Sequence, residues 1–354
     1  MSATKNVGGQ AILEGVMMRG PEAMVMAVRR PDGRIVVKDS TWIPLVKRVP
    51  VLRWPFLRGA AVMVEAMING MQALSYSADV AAAGEEEARR KAKAETEAET
   101  ETETEAETEG SGLSNASIAL TMLIAFGMGI GLFIYLPHFG SGVLLNLVSG
   151  DPLMADPDLG RPLFHLFTGM IKVSVFVGYI LLITSMRDIR RVFQYHGAEH
   201  KSIYVWEAGE DLTVDNARRH SRLHPRCGTA FLAFVILVAI ALFAGVFPLL
   251  PFLDELEGWQ RFAAGASIKI PLMFPIAGIS YEFIRWAGKF RKNPVLRVLS
   301  WPGLLMQRLT TREPDDEQLE VALVSLIRAL EREGDLEAPA YPGEPLLPAP
   351  QLQG

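Results

Sequence analysis

One cysteine, Cys227, occurs in 354 residues, so no disulfide can close within the chain. Charge is missing from long stretches. Ile118–Leu136, about 19 residues, and Thr229–Leu253, about 25, contain no Asp, Glu, Lys or Arg, and each could cross a hydrocarbon layer as a helix. Two weaker segments of spanning length, Phe164–Met186 and Phe262–Ile284, carry Lys172 and Lys269. The opening "MSATKNVGGQ" has no apolar core, so no cleaved signal peptide is expected. The run "GEEEARRKAKAETEAETETETEAETEGSG" lacks an apolar face and repels itself, which predicts a disordered acidic linker over residues 81–112. That run supplies much of the net charge of −5, and the rest of the chain is near neutral or slightly basic. No nucleic-acid partner is expected.

What is present is apolar: 49% of residues are hydrophobic and the mean hydropathy is +0.20. The expected fold is mainly α, a four-span helical membrane protein with a small N-terminal α+β cytoplasmic domain and a C-terminal amphipathic helix. Residues 1–80 form the first domain. In it "MVMAVRRPDGRIVV" alternates around Pro-Asp-Gly as a hairpin does, and residues 58–78 read as a helix lying against the bilayer or other helices. Residues 113–290 hold the spans, with a cytoplasmic segment at 187–228. Residues 291–333 hold the C-terminal helix, capped at Asp315 and Asp316, with Leu319, Leu323, Leu326 and Leu330 on one face. Residues 334–354 are proline-rich and expected to be disordered.

Basic residues set the orientation. Arg187, Arg190, Arg191, Lys201, Arg218, Arg219, Arg222 and Arg226 lie between the second and third spans, and Arg285, Lys289, Arg291 and Lys292 follow the fourth. The other two connections carry Asp151, Asp156 and Asp158, and Asp254, Glu255 and Glu257, with one arginine each. Both termini and the 187–228 segment are therefore expected in the cytoplasm of a cell whose inner (plasma) membrane holds the protein, with membrane lipids as partners and a homo-oligomer left open. Lys172 and Lys269 lie inside their spans. Either their stems reach the headgroups or they face inward along a polar path.

Within 187–228, "FQYHGAEHKSIYVWEAG" sets His196 and His200 four apart, one helical face, with Glu199 between them. This His-x-x-Glu-His order inverts the zinc-protease pattern, in which two histidines hold the ion and the glutamate polarises water. "RRHSRLHPRCG" then repeats the spacing at His220 and His224, with Cys227 three residues on. Pro225 breaks any helix there. The candidates are Glu199 as catalytic base and His196, His200, His220, His224 and Cys227 as ligands of a divalent metal, zinc among them. Two other readings stand beside this one. The histidines could cap and pack, and the arginines could bind an anion such as lipid phosphate.

"GGQAILEGVMMRGP", "RRVFQYHGAEHKSI" and "SRLHPRCGT", in this order, resemble the signatures of the YqhQ-like family. These are bacterial membrane proteins with relatives in plastids, a domain of unknown function provisionally labelled predicted metal-dependent enzymes. The resemblance runs from about Gly8 to near Glu331, and the Glu-Thr run is an insertion. It implies a metal-dependent enzyme, and the motif chemistry suggests a hydrolase. It also brings forward Glu14 and Arg19 in "LEGVMMRGP". Glu282, near the cytoplasmic end of the last span, is a further carboxylate that could reach the site. The alternative of a different class is a non-enzymatic membrane scaffold or regulator with a structural His/Cys clip. With few buried charges, a transporter is poorly supported.

Overall fold

The computed structural model describes residues 7–55, 57–99, 115–149, 162–225, 227–253, 255–256, 258–290, 293–336 and 347–348. The chain divides into two compact units. The first joins Met1–Ala94, Leu182–Phe234 and Ala277–Gly354, and the second joins Glu95–Leu181 and Val235–Ile276.

The first unit is built on an antiparallel meander, β1 (Gly8–Ile12), β2 (Gly15–Arg19), β3 (Ala23–Arg29) and β4 (Ile35–Thr41). The Pro31-Asp32-Gly33 turn closes the expected hairpin, with Gly33 at φ 85°, where a side chain would be strained. A two-residue strand, β5 (Leu347–Pro348), pairs parallel with β4. Strand side chains alternate between faces. Val16, Met18, Val25 and Ala27 point to one core, and Met17, Met24, Met26 and Val28 to another. Both faces are covered, which is why β3 is buried along almost its whole length.

The first face receives α6 (Arg187–Ala208) and α12 (Asp316–Glu333). Helix α12 behaves as its sequence predicts. Asp315 and Gln318 form a capping box, Gly334 closes the helix at φ 71°, and Leu319, Leu323, Leu326 and Leu330 are buried against the sheet. The second face receives α2 (Leu57–Glu99), through Ala73, Tyr76 and Val80. A short α1 (Leu45–Arg48) precedes it. The expected helix at 58–78 is thus packed on the sheet, with Val64, Met67, Ile68, Met71 and Leu74 left exposed.

Helix α2 does not stop where the acidic linker was expected to begin. It continues from residue 81 to Glu99, since Ala, Glu, Lys and Arg are strong helix formers and Arg90 pairs with Glu86 one turn away at 2.5 Å. Arg30 of the hairpin turn also holds Glu87. The remainder of the linker, 100–112, and most of the proline-rich tail lie outside the described residues.

Among the described residues the candidate spans are four: Leu123–Leu145, His165–Ile183, Gly228–Leu249 and Trp259–Ala287. The first differs from the expected Ile118–Leu136. Helix α3 (Asn115–Ile130) passes through a π-helical turn, Gly131–Tyr135, into α4 (Leu136–Ser149). Pro137 has no N–H for the carbonyl four residues back, and a π turn lets the helix run on past it. The others lie on α5 (Pro162–Ile183), α8 (Gly228–Val246) with the turn that follows, and α9 (Gly258–Lys289). Between α6 and α8 sits a short α7 (Val214–Arg219). After α9 come α10 (Pro294–Leu299) and α11 (Trp301–Thr310), so 291–333 holds three helices where one was expected.

In the second unit Leu145, Phe247 and Leu253 form the core, with Phe167 and Phe243 packed on it. Gly169 lets α5 approach Ile240 of α8, whose Cγ1 a Cβ there would meet at 2.4 Å.

Candidate metal centre

His196, Glu199 and His200 sit in the middle of α6, at its deepest burial, where the helix lies under the 311–315 segment. The crossing is close. Arg312 N–H donates to the Phe193 carbonyl at 2.8 Å, and a Cβ on Gly197 would stand 2.1 Å from the Arg312 carbonyl oxygen. Gly197 is therefore what lets the two backbones touch, and that contact sets the Thr310 carbonyl 2.8 Å from His196 Nδ1. His200 Nδ1 bonds in the same way to the Arg222 carbonyl.

These two bonds fix the chemistry of the rings. A carbonyl oxygen only accepts, so each Nδ1 must carry a proton and donate it. In the neutral ring the Nε2 lone pair is then free. The two Nε2 atoms and Cys227 Sγ converge, all three within 4.8 Å of one another, with His196 Nε2 at 3.1 Å from the sulfur. Around a tetrahedral zinc, nitrogen and sulfur ligands stand about 3.3–3.8 Å apart. His200 Nε2 is buried without a well-formed hydrogen bond. Metal-ligating histidines commonly donate their other nitrogen to a carbonyl, as both do here. Two neutral imidazoles and a thiolate are a donor set that fits a divalent cation.

The electrostatics agree. Burial opposes ionisation of Cys227, yet His196 and His200 outweigh it and hold the thiol well below its usual range. For His200, burial disfavours the charge, but Cys227 and then Glu199 dominate and raise it to about 9. Without a cation, a proton on Nε2 stands where the cation would. Glu199 is buried, its Oε2 3.4 Å from His200 Nε2, and it packs so closely on Gly9 of β1 that a Cβ there would meet its Cγ at 2.5 Å.

The sequence matches the family described as "Protein of unknown function (DUF1385)" over residues 54–332. It is also 34% identical over 341 residues to "Uncharacterized protein YqhQ" of Bacillus subtilis (strain 168), covering 92% of each chain. The chain belongs to this family. No solved structure matches it. The likeness read from three short motifs thus extends over most of the chain, and both names leave the family's activity open.

The other candidates fall elsewhere. Helix α7 ends at Arg219, so His220 and His224 lie in the extended segment after it and do not repeat the helical pairing. His220 stacks on Tyr204 and meets Glu210 at 3.2 Å. His224 meets Glu207 at 3.5 Å, and its ring lies 5.7 Å from that of His200, forming a layer behind the ligands. Glu14, at φ 49° in the β1–β2 turn, is gripped by Arg191 through two 2.5 Å bonds and reached by the Tyr195 hydroxyl at 3.3 Å. Arg19 lies over the Trp42 ring, its pKa lowered by burial. Glu282 is taken by Arg58. The arginines expected to offer an anion site are largely engaged, Arg218 by Asp316 and Asp215, and Arg222 by Thr311.

Gln307 was not legible in the sequence. Fully buried on α11, it accepts from the His224 N–H and donates to the His224 carbonyl, both at 2.7 Å. It thereby clamps the loop three residues before Cys227.

Proposed function

We propose that this chain is a metal-dependent hydrolase embedded in the plasma membrane, with its site on the cytoplasmic side. His196, His200 and Cys227 hold a divalent cation, zinc by the character of the donors, and Glu199 is the general base. The observation that carries this is the pair of Nδ1–carbonyl bonds, which leave two Nε2 lone pairs converging on a sulfur. The chemistry that a cation held by these residues would supply is a lowered pKa for a bound water and polarisation of a carbonyl or phosphoryl oxygen. Glu199, whose Oε2 lies 3.4 Å from His200 Nε2, would take a proton from the attacking water and return it to the leaving group. His224 and Glu207 brace the rings from behind.

The membrane reading is supported by what the apolar helices leave uncovered. Only 6% and 11% of the first two span windows are buried, and Phe126 and Leu182 are each 70% exposed. Apolar faces of that extent are satisfied by lipid and not by water. Trp54, Trp286 and Trp301 are exposed as interfacial tryptophans are.

The second reading, a structural clip in a scaffold or regulator, is favoured by the burial of His200, 1% exposed, and by the way the site ties α6 to α11 and the loop before α8. One experiment separates the two. Metal analysis of purified protein should find one cation per chain, absent in His200→Ala. Glu199→Gln should keep the metal and lose function in a complementation assay, a general base being worth roughly 10²–10⁴-fold. Full complementation by a metal-loaded Glu199→Gln protein would leave only the clip.

A further inference from the structure

Away from the metal centre, two stretches of the first unit are basic and free of acid. Residues 42–64 hold four Lys and Arg, residues 283–312 hold seven, and neither contains Asp or Glu. The helices that they form or begin leave apolar side chains exposed: Met67, Ile68 and Met71 on α2, and Val295, Val298 and Trp301 on α10 and α11. From residue 57 to 74 the only charges on α2 are Arg58 and Glu65. Arg58 is paired with Glu282, and Glu65 is buried and accepts from the Leu45 N–H. Exposed acids return further along the helix, at Asp79 and from Glu85 onwards.

These helices are held at the ends of two candidate spans. A Cβ on Gly59 of α2 would stand 2.8 Å from both the Ala277 carbonyl oxygen and Tyr281 Cβ on α9. A Cβ on Gly303 of α11 would meet Ala230 Cβ on α8 at 2.7 Å and the Phe234 ring at 3.4 Å. Phe234 packs on Phe283 of α9, ring centroids 4.4 Å apart. Contacts thus run from α2 to α9 to α8 to α11, each within about three turns of Gly228 or Ala287, the ends of those spans. The sheet covers only the other face of α2. A helix with an apolar outer face, set at that level and flanked by cations, suits the boundary between headgroups and acyl chains.

We propose that residues 57–74 of α2, together with α10 and α11, dock on an anionic lipid leaflet at the ends of α8 and α9. The exposed apolar side chains enter the acyl boundary, Trp54 and Trp301 lie at headgroup depth, and the exposed Arg48, Arg53 and Arg308 meet lipid phosphate. The acidic half of α2, from Asp79, is kept off the same surface by its charge. A second copy of the chain fits this face less well, because two such basic stretches repel each other. The proposal rests on the membrane reading above and is independent of the metal centre.

The test places photoreactive p-benzoylphenylalanine at single positions of the full chain, in nanodiscs of equimolar phosphatidylcholine and phosphatidylglycerol, and identifies the adducts by mass spectrometry. Positions Met67, Met71 and Val298 should yield lipid adducts, whereas Glu86, exposed on the acidic half of α2, should not. Phosphatidylglycerol should be enriched in those adducts several-fold over its share of the bilayer, a basic residue near the surface being worth about fivefold. In Arg48→Gln/Arg53→Gln/Arg308→Gln the enrichment should fall to the bulk composition. Arg48→Lys/Arg53→Lys/Arg308→Lys should restore it, which separates lost charge from lost folding. Enrichment that the Gln substitutions leave unchanged overturns the proposal. Phe126, 70% exposed in the first candidate span, is the control for the membrane reading. If Phe126 takes lipid while Met67 and Val298 take none, or link to a second chain or another protein, the docking surface is overturned and the membrane reading stands. If Phe126 takes no lipid either, both fall.

Discussion

At the scale of single residues, the proposed centre sets a proton and a cation in competition for the same nitrogen. His200 holds its proton up to about 9 because burial, which disfavours the charge, is outweighed by Cys227 and Glu199. A ligating imidazole must be neutral, so below that pH the cation has to displace the proton. The sign follows directly. Apparent affinity rises as pH rises, by about tenfold per unit from neutrality towards pH 9, and then flattens. Cys227 does not reverse this trend: its thiol is held well below its usual range, and any proton it still carried would likewise be released on binding. Zinc titration calorimetry in buffers of different ionisation enthalpy should therefore report about one proton released per ion at pH 7. A pH-independent affinity would show that His200 is not a ligand.

Among the elements, α12 joins sequence to site most directly. Its buried face closes the core on which α6 rests, and Leu326, fully buried, lies in the middle of that face. Leu326→Ala should cost about 2–5 kcal/mol, read as a fall in melting temperature. It should leave the metal content of the folded fraction unchanged, because no ligand is on α12. This helix was legible because its signals are local: Asp and Gln at capping spacing, leucines at 3.6-residue intervals, and a closing glycine. The β3–β4 turn and the His196–His200 pair were legible for the same reason. Where the sequence misleads, partners distant in the chain decide. Glu87 continues α2 through a contact with Arg30, although composition suggests an unstructured run. His220 and His224 have helical spacing, but the helix ends before them. The Thr310 and Arg222 carbonyls that set the ring tautomers belong to the backbone and carry no side-chain signature. Gly197 did offer a hint, a glycine in mid-helix, which marks a close approach by another strand of backbone.

For the whole molecule, the distribution of charge supports the cytoplasmic side proposed for the site. The candidate metal centre lies on α6 and the loop before α8, both between the second and third candidate spans, so under the proposed membrane reading one crossing would decide its side. That connection and the segment after α9 carry the arginines and lysines, whereas the other two connections are acidic. Basic residues flanking spans are retained on the cytoplasmic side. With the four spans proposed above, both termini would share one face. Helix α2 is not among the candidate spans: Ala73, Tyr76 and Val80 pack on the sheet, while Val64, Met67, Ile68, Met71 and Leu74 stay exposed. A phosphatase reporter fused after Arg219 should be inactive, and the same reporter fused between residues 150 and 161 should be active. The cytoplasm also suits the chemistry of Cys227, since a thiolate ligand with no disulfide partner persists under reducing conditions. The reverse pattern of reporter activity would put the thiolate and both imidazoles outside the cell, where an exposed supply of reductant is lacking, and the hydrolase reading would lose the compartment on which its cysteine ligand depends.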